Sequence, residues 1–412
     1  MSKERRCCLC GGTRFFPLLQ LDDLPISHYL RKRADDPDPR FAVVFEACQD
    51  CGLLQIVDPI PAHLIYEQAD TYTTGFQKPR HLDDLITTAI ARRDPGKVID
   101  IGCNDGALMA ALGRAGYGPV VGVEPNRVAA ELARAQGQKV YASFLDRDAA
   151  GRIVAECGPF DAAYMRHVVE HVSDLEEFFG AVRALLRPGG LLVLELPEVE
   201  QGLRLGSPAI LWEEHVGYYT QALAEYLLQR FGFAILDRRQ YVFGGGSFAF
   251  VAEMVERPAR AEAPPDPAAT LELLRGFADR LRRQGDAIRE LVSLARARGY
   301  KVMMYGAAPR SCLVASASGI AGMIDLVVDD RDDIQDRLMP GTDRAVRALA
   351  RVADSVDDKL LCLLGVGSEN EFKVRGKVEA AAAGEPVFVS LFSPRDTLQS
   401  VAEARRSIMG PQ

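Results

Sequence analysis

Val98-Ile-Asp-Ile-Gly-Cys-Asn-Asp-Gly106, followed by Val121-Gly-Val-Glu-Pro-Asn126, decides the architecture. An apolar strand runs into a glycine-bearing turn, a helix follows, and a second strand ends on Glu124. Gly102 and Gly106 carry no side chain, so a nucleotide-like ligand can lie over the turn. A carboxylate at the tip of the second strand can accept hydrogen bonds from both hydroxyls of a ribose. The turn is not the G-x-G-x-x-G of a dinucleotide site, because it lacks the closely spaced glycine pair that lets a pyrophosphate approach the backbone. It offers acids instead, Asp100 and Asp105, which suit a cationic sulfonium and an amino-acid tail. Asp100, Gly102, Asn104, Gly106, Glu124 and Pro125 are the first candidate binding residues.

This pattern resembles the class I methyltransferases that use S-adenosylmethionine (SAM). From about residue 95 strand and helix alternate, with strands expected at 97–102, 119–124, 138–143, 160–165 and 190–196. Such alternation predicts a parallel sheet covered on both faces, with ligands beyond the carboxyl ends of its strands. The segment Tyr164-Met-Arg-His-Val-Val-Glu-His171 opens there too, which adds Arg166 and His167 to the cofactor-binding candidates. Arg187-Pro-Gly-Gly190 reads as a tight turn before the fifth strand. His167, Glu170 and His171 spell H-x-x-E-H, but a metal site of that kind needs a helix to aim both rings at one ion. This run starts at the end of a strand, so one histidine is expected to line the site and the other to pack near the cofactor.

The N-terminal segment holds Cys7-Cys8-Leu9-Cys10 and Cys48-Gln-Asp-Cys51, two C-x-x-C knuckles each followed by glycine. Cys7, Cys10, Cys48 and Cys51 make a closed four-thiolate set for a structural zinc ion, with no open position for catalysis. Cys8 is read as a bystander. Further on, Leu211-Trp-Glu-Glu-His-Val-Gly-Tyr-Tyr-Thr220 places Glu214 beside His215 before a helix expected at 220–231. A base titrating near neutrality with a carboxylate to tune it is what proton abstraction from carbon requires. Asp70-Thr-Tyr-Thr-Thr-Gly75 precedes a helix expected at 79–92, and its tyrosine and hydroxyls suit a sugar or a carboxylate tail. Tyr241-Val-Phe-Gly-Gly-Gly-Ser-Phe-Ala249 reads as a strand with a glycine-rich bend.

Taken in order, C-x-x-C…C-x-x-C-G-L (7–53), D-I-G-C-N-D-G (100–106), E-E-H-V-G-Y-Y-T (213–220), G-G-S (245–247), Tyr305-Gly-Ala-Ala308 and Val327-Val-Asp-Asp330…Pro340-Gly-Thr342 resemble the C-methyltransferases of nucleotide-linked 4-keto-deoxysugars. The resemblance spans essentially the whole chain. It implies an α/β protein: a class I methyltransferase Rossmann-like core, an N-terminal zinc-binding lobe and a second Rossmann-like C-terminal domain. It implies SAM and zinc as cofactors and methyl transfer to C3, where the neighbouring ketone acidifies the hydrogen. The family's catalytic histidine maps onto His215 and its preceding acid onto Glu214. A further histidine maps onto His171, with His167 as the alternative, and a tyrosine onto Tyr72, with Tyr66 as the alternative. Two departures stand out. Trp212 occupies a position where the family has an aromatic hydroxyl, and Leu364-Gly-Val-Gly-Ser-Glu-Asn370 replaces an Ala-Trp-Asn run.

The C-terminal third begins with a proline-rich linker, Ala259–Pro267, and an amphipathic helix over 268–299. Strands are expected at 301–305, 324–328 and 359–364. Gly306 sits at a strand-to-helix turn suited to phosphate, with Arg310 assisting. The expected division is 1–75 zinc-binding lobe, 76–258 methyltransferase domain, 259–299 linker and helix, and 300–412 substrate domain. The 412 residues, 48% apolar with a formal charge of −8, fit a soluble protein that does not bind nucleic acid through a broad basic surface. With no apolar run of membrane-span length and no signal-peptide core after Met1–Arg6, no membrane partner is expected and the location is read as cytoplasmic. The expected partner is a small-molecule nucleotide-sugar substrate, acting on a monomer or homodimer. Rival readings are a methyltransferase for another small molecule and a non-catalytic SAM-binding scaffold.

Overall fold

The computed structural model describes residues 5–66, 80–242, 245–256, 263–352, 359–392 and 397–410. The chain forms two compact units, each gathered from separated stretches. Unit one comprises Met1–Pro17, Phe45–Glu200 and Glu214–Leu271; unit two comprises Leu18–Val44, Gln201–Glu213 and Glu272–Gln412.

Unit one is built on a seven-stranded sheet of β1 (Val98–Ile101), β2 (Val120–Val123), β3 (Lys139–Tyr141), β4 (Phe160–Arg166), β5 (Leu186–Pro197), β6 (Phe233–Tyr241) and β7 (Ser247–Met254). Their spatial order is β3-β2-β1-β4-β5-β7-β6. The first five pair in parallel, and β7 runs antiparallel to both β5 and β6. The order reverses beside β1, so the crevice that receives a ligand in such sheets opens between the ends of β1 and β4. All four residues of β1 are buried, as expected of a strand covered on both faces. The covering helices start where the sequence supplies caps: Asn126, Asp146, Asp174 and Thr220 each accept a hydrogen bond from a first-turn amide.

Two readings change. Arg187-Pro-Gly-Gly190 does not precede the fifth strand but interrupts it: Phe160 pairs with Leu186 and Ala162 with Leu191, so four residues bulge out. Gly189, at φ +72°, takes the left-handed corner. The sheet also exceeds the five expected strands, because the glycine-rich bend after Tyr241 joins two long strands into a hairpin; residues 243–244 lie outside the described ones.

The cysteine-bearing stretches do not stand apart with a core of their own. Cys7, Leu9, Cys48, Cys51 and Leu53 belong to the same apolar cluster as Ile99, Met165, Leu194 and Tyr219. A short antiparallel ladder sets Phe45, Glu46 and Ala47 against Ile56, Gln55 and Leu54. On its other side Leu54 pairs with Tyr218 and Gln55 with Gly217.

Unit two has a six-stranded sheet of β8 (Lys301–Tyr305), β9 (Leu326–Val328), β10 (Leu338–Met339), β11 (Arg344–Arg347), β12 (Leu360–Leu364) and β13 (Val387–Ser390), ordered β10-β11-β9-β8-β12-β13. All its pairings are parallel except β10 with β11. Gly306 follows β8 at φ +106°, and a Cβ there would fall 2.4 Å from the Gly365 carbonyl. Arg310, expected to assist a phosphate, has its guanidinium 5.6 Å from the rings of both Trp212 and Phe392.

In unit one Phe179 stacks on Phe231 with ring centres 4.5 Å apart and planes within 7°. Both side chains are buried. Phe179→Ala is expected to destabilise this unit by about 3–5 kcal/mol, read as a lower urea midpoint in far-ultraviolet circular dichroism. An unchanged midpoint would contradict this packing.

Candidate active site

The turn after β1 is held by its own backbone. The Gly102 amide donates to the Val123 carbonyl at 2.8 Å, and Gly102, Asn104 and Gly106 all have positive φ (74°, 54° and 81°). The two glycines are demanded by the protein as much as by any ligand. A Cβ on Gly102 would meet Val168 at 2.5 Å, and one on Gly106 would meet Gln138 Oε1 at 1.6 Å. Glu124 follows β2 with its carboxylate fixed by two backbone amides, Asn104 N at 2.9 Å and Asn126 N at 2.7 Å. Burial raises its pKa, and those two amides and the nearby His171 only partly offset the rise. Pro125 lies between these anchors. Asp100 is 2% exposed and its Oδ2 has no hydrogen-bond partner among the described residues. Burial pushes its carboxyl up to about 7, against the pull of Arg166 and with a further push from Glu124. An orphaned acid beneath a glycine turn, beside an immobilised carboxylate, fits a ligand that brings a ribose and a positive charge.

Past the end of β4 the polar groups divide into two clusters. In the first, Tyr66 Oη lies 2.7 Å from His171 Nδ1 and donates to Glu214 Oε2 at 3.3 Å. His171 also meets the Glu214 carbonyl at 3.1 Å, and its ring stands edge-on to His215 with centres 4.8 Å apart. Asn126 Nδ2 donates to the Tyr66 carbonyl at 3.4 Å, which ties this cluster to the Glu124 loop. The structure therefore brings together Tyr66, His171, Glu214 and His215; Tyr72 lies outside the described residues. Burial pushes the His215 pKa down to about 4, helped by His171 and opposed by Glu170 and Glu214. Trp212 groups with unit two, where its Nε1 donates to the Ala209 carbonyl at 3.2 Å.

The second cluster surrounds Glu195, which is wholly buried at the end of β5. It meets His81 Nε2 at 2.8 Å, Arg166 Nε at 2.5 Å and Ser247 Oγ at 2.6 Å, with His167 Nε2 at 3.7 Å. Burial alone would raise its pKa, yet His167, His81 and Arg166 hold it far below the carboxylate range. His167 sits at φ +53° with Nδ1 3.3 Å from Glu170 Oε1. Burial would lower its pKa, but Glu170 and Glu195 lift it to about 9. Arg166 and His167 are thus engaged by Glu195 rather than pointing singly at a cofactor. Sequence reasoning missed Glu195, His81 and Ser247. A signal existed for the first, since Glu195 is the one acid in the apolar run Leu191–Leu196.

The four thiols of Cys7, Cys10, Cys48 and Cys51 lie within 4.8 Å of one another, with Sγ–Sγ distances of 3.7 Å (Cys7–Cys51) and 3.6 Å (Cys10–Cys48). A tetrahedral zinc ion with ~2.3 Å bonds to sulfur spaces its ligands about 3.8 Å apart, so the set fits. Cys8 stays outside it; its amide donates to Gln55 Oε1 at 3.2 Å.

The two environments make opposite demands on two histidines. In a histidine-resolved NMR titration His215 should lose its proton near pH 4 and His167 near pH 9. Titration of both rings near the ordinary value of about 6.5 would contradict the burial and pairing described.

Two family models match the chain: a methyltransferase domain over residues 76–238 and a C-methyltransferase C-terminal domain over 247–371. The chain is 26% identical over 407 residues to the C-methyltransferase NovU of Streptomyces niveus, covering 93% of this chain and 96% of that protein. It is 37% identical over 127 residues to the mitochondrial ubiquinone biosynthesis O-methyltransferase of Rattus norvegicus, covering 27% of this chain and 35% of that one. Among solved structures, magnesium protoporphyrin IX methyltransferase from Synechocystis PCC 6803 with bound SAM aligns over 42% of this chain and 78% of its own, at 19% identity and a TM-score of 0.31. With the strand order of unit one and the two family matches, the chain is a class I SAM-dependent methyltransferase carrying a C-methyltransferase C-terminal domain.

Proposed function

We propose that the protein methylates C3 of a nucleotide-linked 4-keto-6-deoxyhexose, with His215 as the base. The observation that carries this reading is the packing of His215 and Glu214 against His171 and Tyr66, beside the Glu124 loop. The full-length similarity to a C-methyltransferase supports carbon as the acceptor.

SAM, when bound, supplies a methyl group on a positively charged sulfur that a carbon nucleophile can take. Glu124 would accept its ribose hydroxyls, and Asp100, Gly102, Asn104, Gly106 and Pro125 would line its cradle. Arg166 and His167 would act from the neighbouring strand end, held there by Glu195. His215 is neutral at physiological pH and so is competent to take the C3 proton. Glu214 and Glu170 would stabilise the imidazolium that results. Tyr66 or His171 would donate a hydrogen bond to the enolate oxygen at C4.

The test is loss of the H3 proton signal of a nucleotide 4-keto-6-deoxyhexose in D2O, with the enzyme and S-adenosylhomocysteine present. Enzyme-dependent loss is expected, and His215→Ala should slow it by about 10²–10⁴-fold without weakening SAM binding. An unchanged H3 signal across several such sugars would remove keto-sugars as the acceptor. Near-normal exchange in His215→Ala would remove His215 as the base.

We further propose that the four cysteines hold one structural zinc ion. The Leu54–Ile56 strand next to them carries the backbone of residues 216–218. Elemental analysis should find one tightly held zinc per chain. Cys51→Ser should lose it and, with it, most turnover; full activity in the zinc-free variant would overturn the link.

A further inference from the structure

Glu170 is 2% exposed, and neither carboxylate oxygen makes a hydrogen bond among the described residues. His167 Nδ1 stands 3.3 Å from Oε1, close enough to share charge but not aligned to donate. Beside it the Tyr219 hydroxyl is buried and also lacks a partner. A carboxylate taken out of water costs several kcal/mol; the histidines around Glu170, His167 first, hold it ionised against that cost, but its oxygens make no aligned hydrogen bond among the described residues. One ligand atom each from Glu170, His171 and His215 lies within 4.8 Å of the other two.

We propose that Glu170, His171 and His215 form a second metal site, separate from the four thiolates, for a divalent transition metal ion. One carboxylate and two imidazoles are the donor set of open zinc sites, whose bonds of about 2.0–2.2 Å require these groups to draw together by roughly an ångström. The site does not use the H-x-x-E-H spacing. His167 is not in the set, residues 169–171 form a single 3-10 turn, and the third ligand comes from the loop after Glu214. Occupation takes the lone pair that accepts the substrate proton, so the metal is an inhibitor. This last consequence rests on His215 being the base; the binding itself does not.

The experiment uses the full chain with its four-cysteine site loaded, titrated with Zn2+ and in parallel with Co2+. Metal content should rise from one to two equivalents per chain, the second removed by brief chelation. Glu170→Gln keeps the shape of the side chain and should weaken the second equivalent by at least about tenfold, the scale known for changes even one shell further out. His171→Ala should do the same, which guards against misfolding of either variant alone. Co2+ should broaden the His171 and His215 ring signals and leave His81 sharp. A single equivalent in the parent chain, or a second that survives both substitutions, overturns the site. Binding of the second ion with unchanged H3 exchange overturns inhibition and counts against His215 as the base, while exchange without a second ion leaves the proposed reaction standing and removes only the metal.

Discussion

Leu54 pairs with Tyr218, Gln55 pairs with Gly217, and the Ile56 amide donates to the Val216 carbonyl at 2.9 Å. These few backbone hydrogen bonds fix the segment that carries Glu214 and His215. The side chain and carbonyl of Glu214 add contacts to Tyr66 and His171, and the next helix starts only at Gln221. The strand that supplies the bonds is three residues long. Such a strand is marginal alone, and it lies beside Cys48 and Cys51 in the apolar cluster of the main sheet. The cysteine set therefore stands next to the strand that pairs with the segment carrying Glu214 and His215.

The carboxyl edge of the main sheet gathers four buried acids, and the physics treats each differently. Glu124 is held by backbone amides, which fix its direction without supplying a full charge. Glu195 is surrounded by His81, Arg166, His167 and Ser247 and stays ionised. Asp100 has one orphaned oxygen and sits near neutrality in its titration. Glu170 is kept ionised, against burial, by the histidines around it. A sheet stabilised only for its own sake would not accumulate such costs at one edge. Their concentration where parallel strands end marks that edge as the working face.

Much of this was legible in the sequence because it is local. The strand–turn–helix around Gly102, the four cysteine positions and the Glu214–His215 pair are each set by neighbours within a few residues. The helix start at Thr220 was legible for the same reason. What was not legible is non-local. Glu195 gathers partners from residues 81, 166, 167 and 247, and no spacing rule connects those numbers. Residues Leu18–Val44 and Gln201–Glu213 leave unit one and join the other unit, where Glu213 accepts from the Ser27 amide at 2.8 Å. The result separates Trp212 and Glu213 from Glu214 and His215, although the sequence reads them as one motif. The glycine turn was legible for an incomplete reason, since Val168 and Gln138 already fill the space that a Cβ would need.

The same contrast explains why two histidines that both feel Glu170 end up with opposite chemistry. His167 faces carboxylates through both ring nitrogens, Glu170 at 3.3 Å and Glu195 at 3.7 Å, so its charge is matched and persists. His215 is half-buried, as His167 is, but has His171 edge-on to it, and the acids near it do not offset burial. An imidazolium at His167 cannot accept a proton, whereas a neutral His215 can. Where titrating groups in one site are driven apart in this way, the environment has already divided the roles. The cost is that His215 is a weak base in the resting protein. It can extract a proton from carbon only where that carbon is strongly acidified and where the new cation finds Glu214 and Glu170 waiting. A carbon next to a ketone would meet the first condition, and the carboxylates of Glu214 and Glu170 would meet the second.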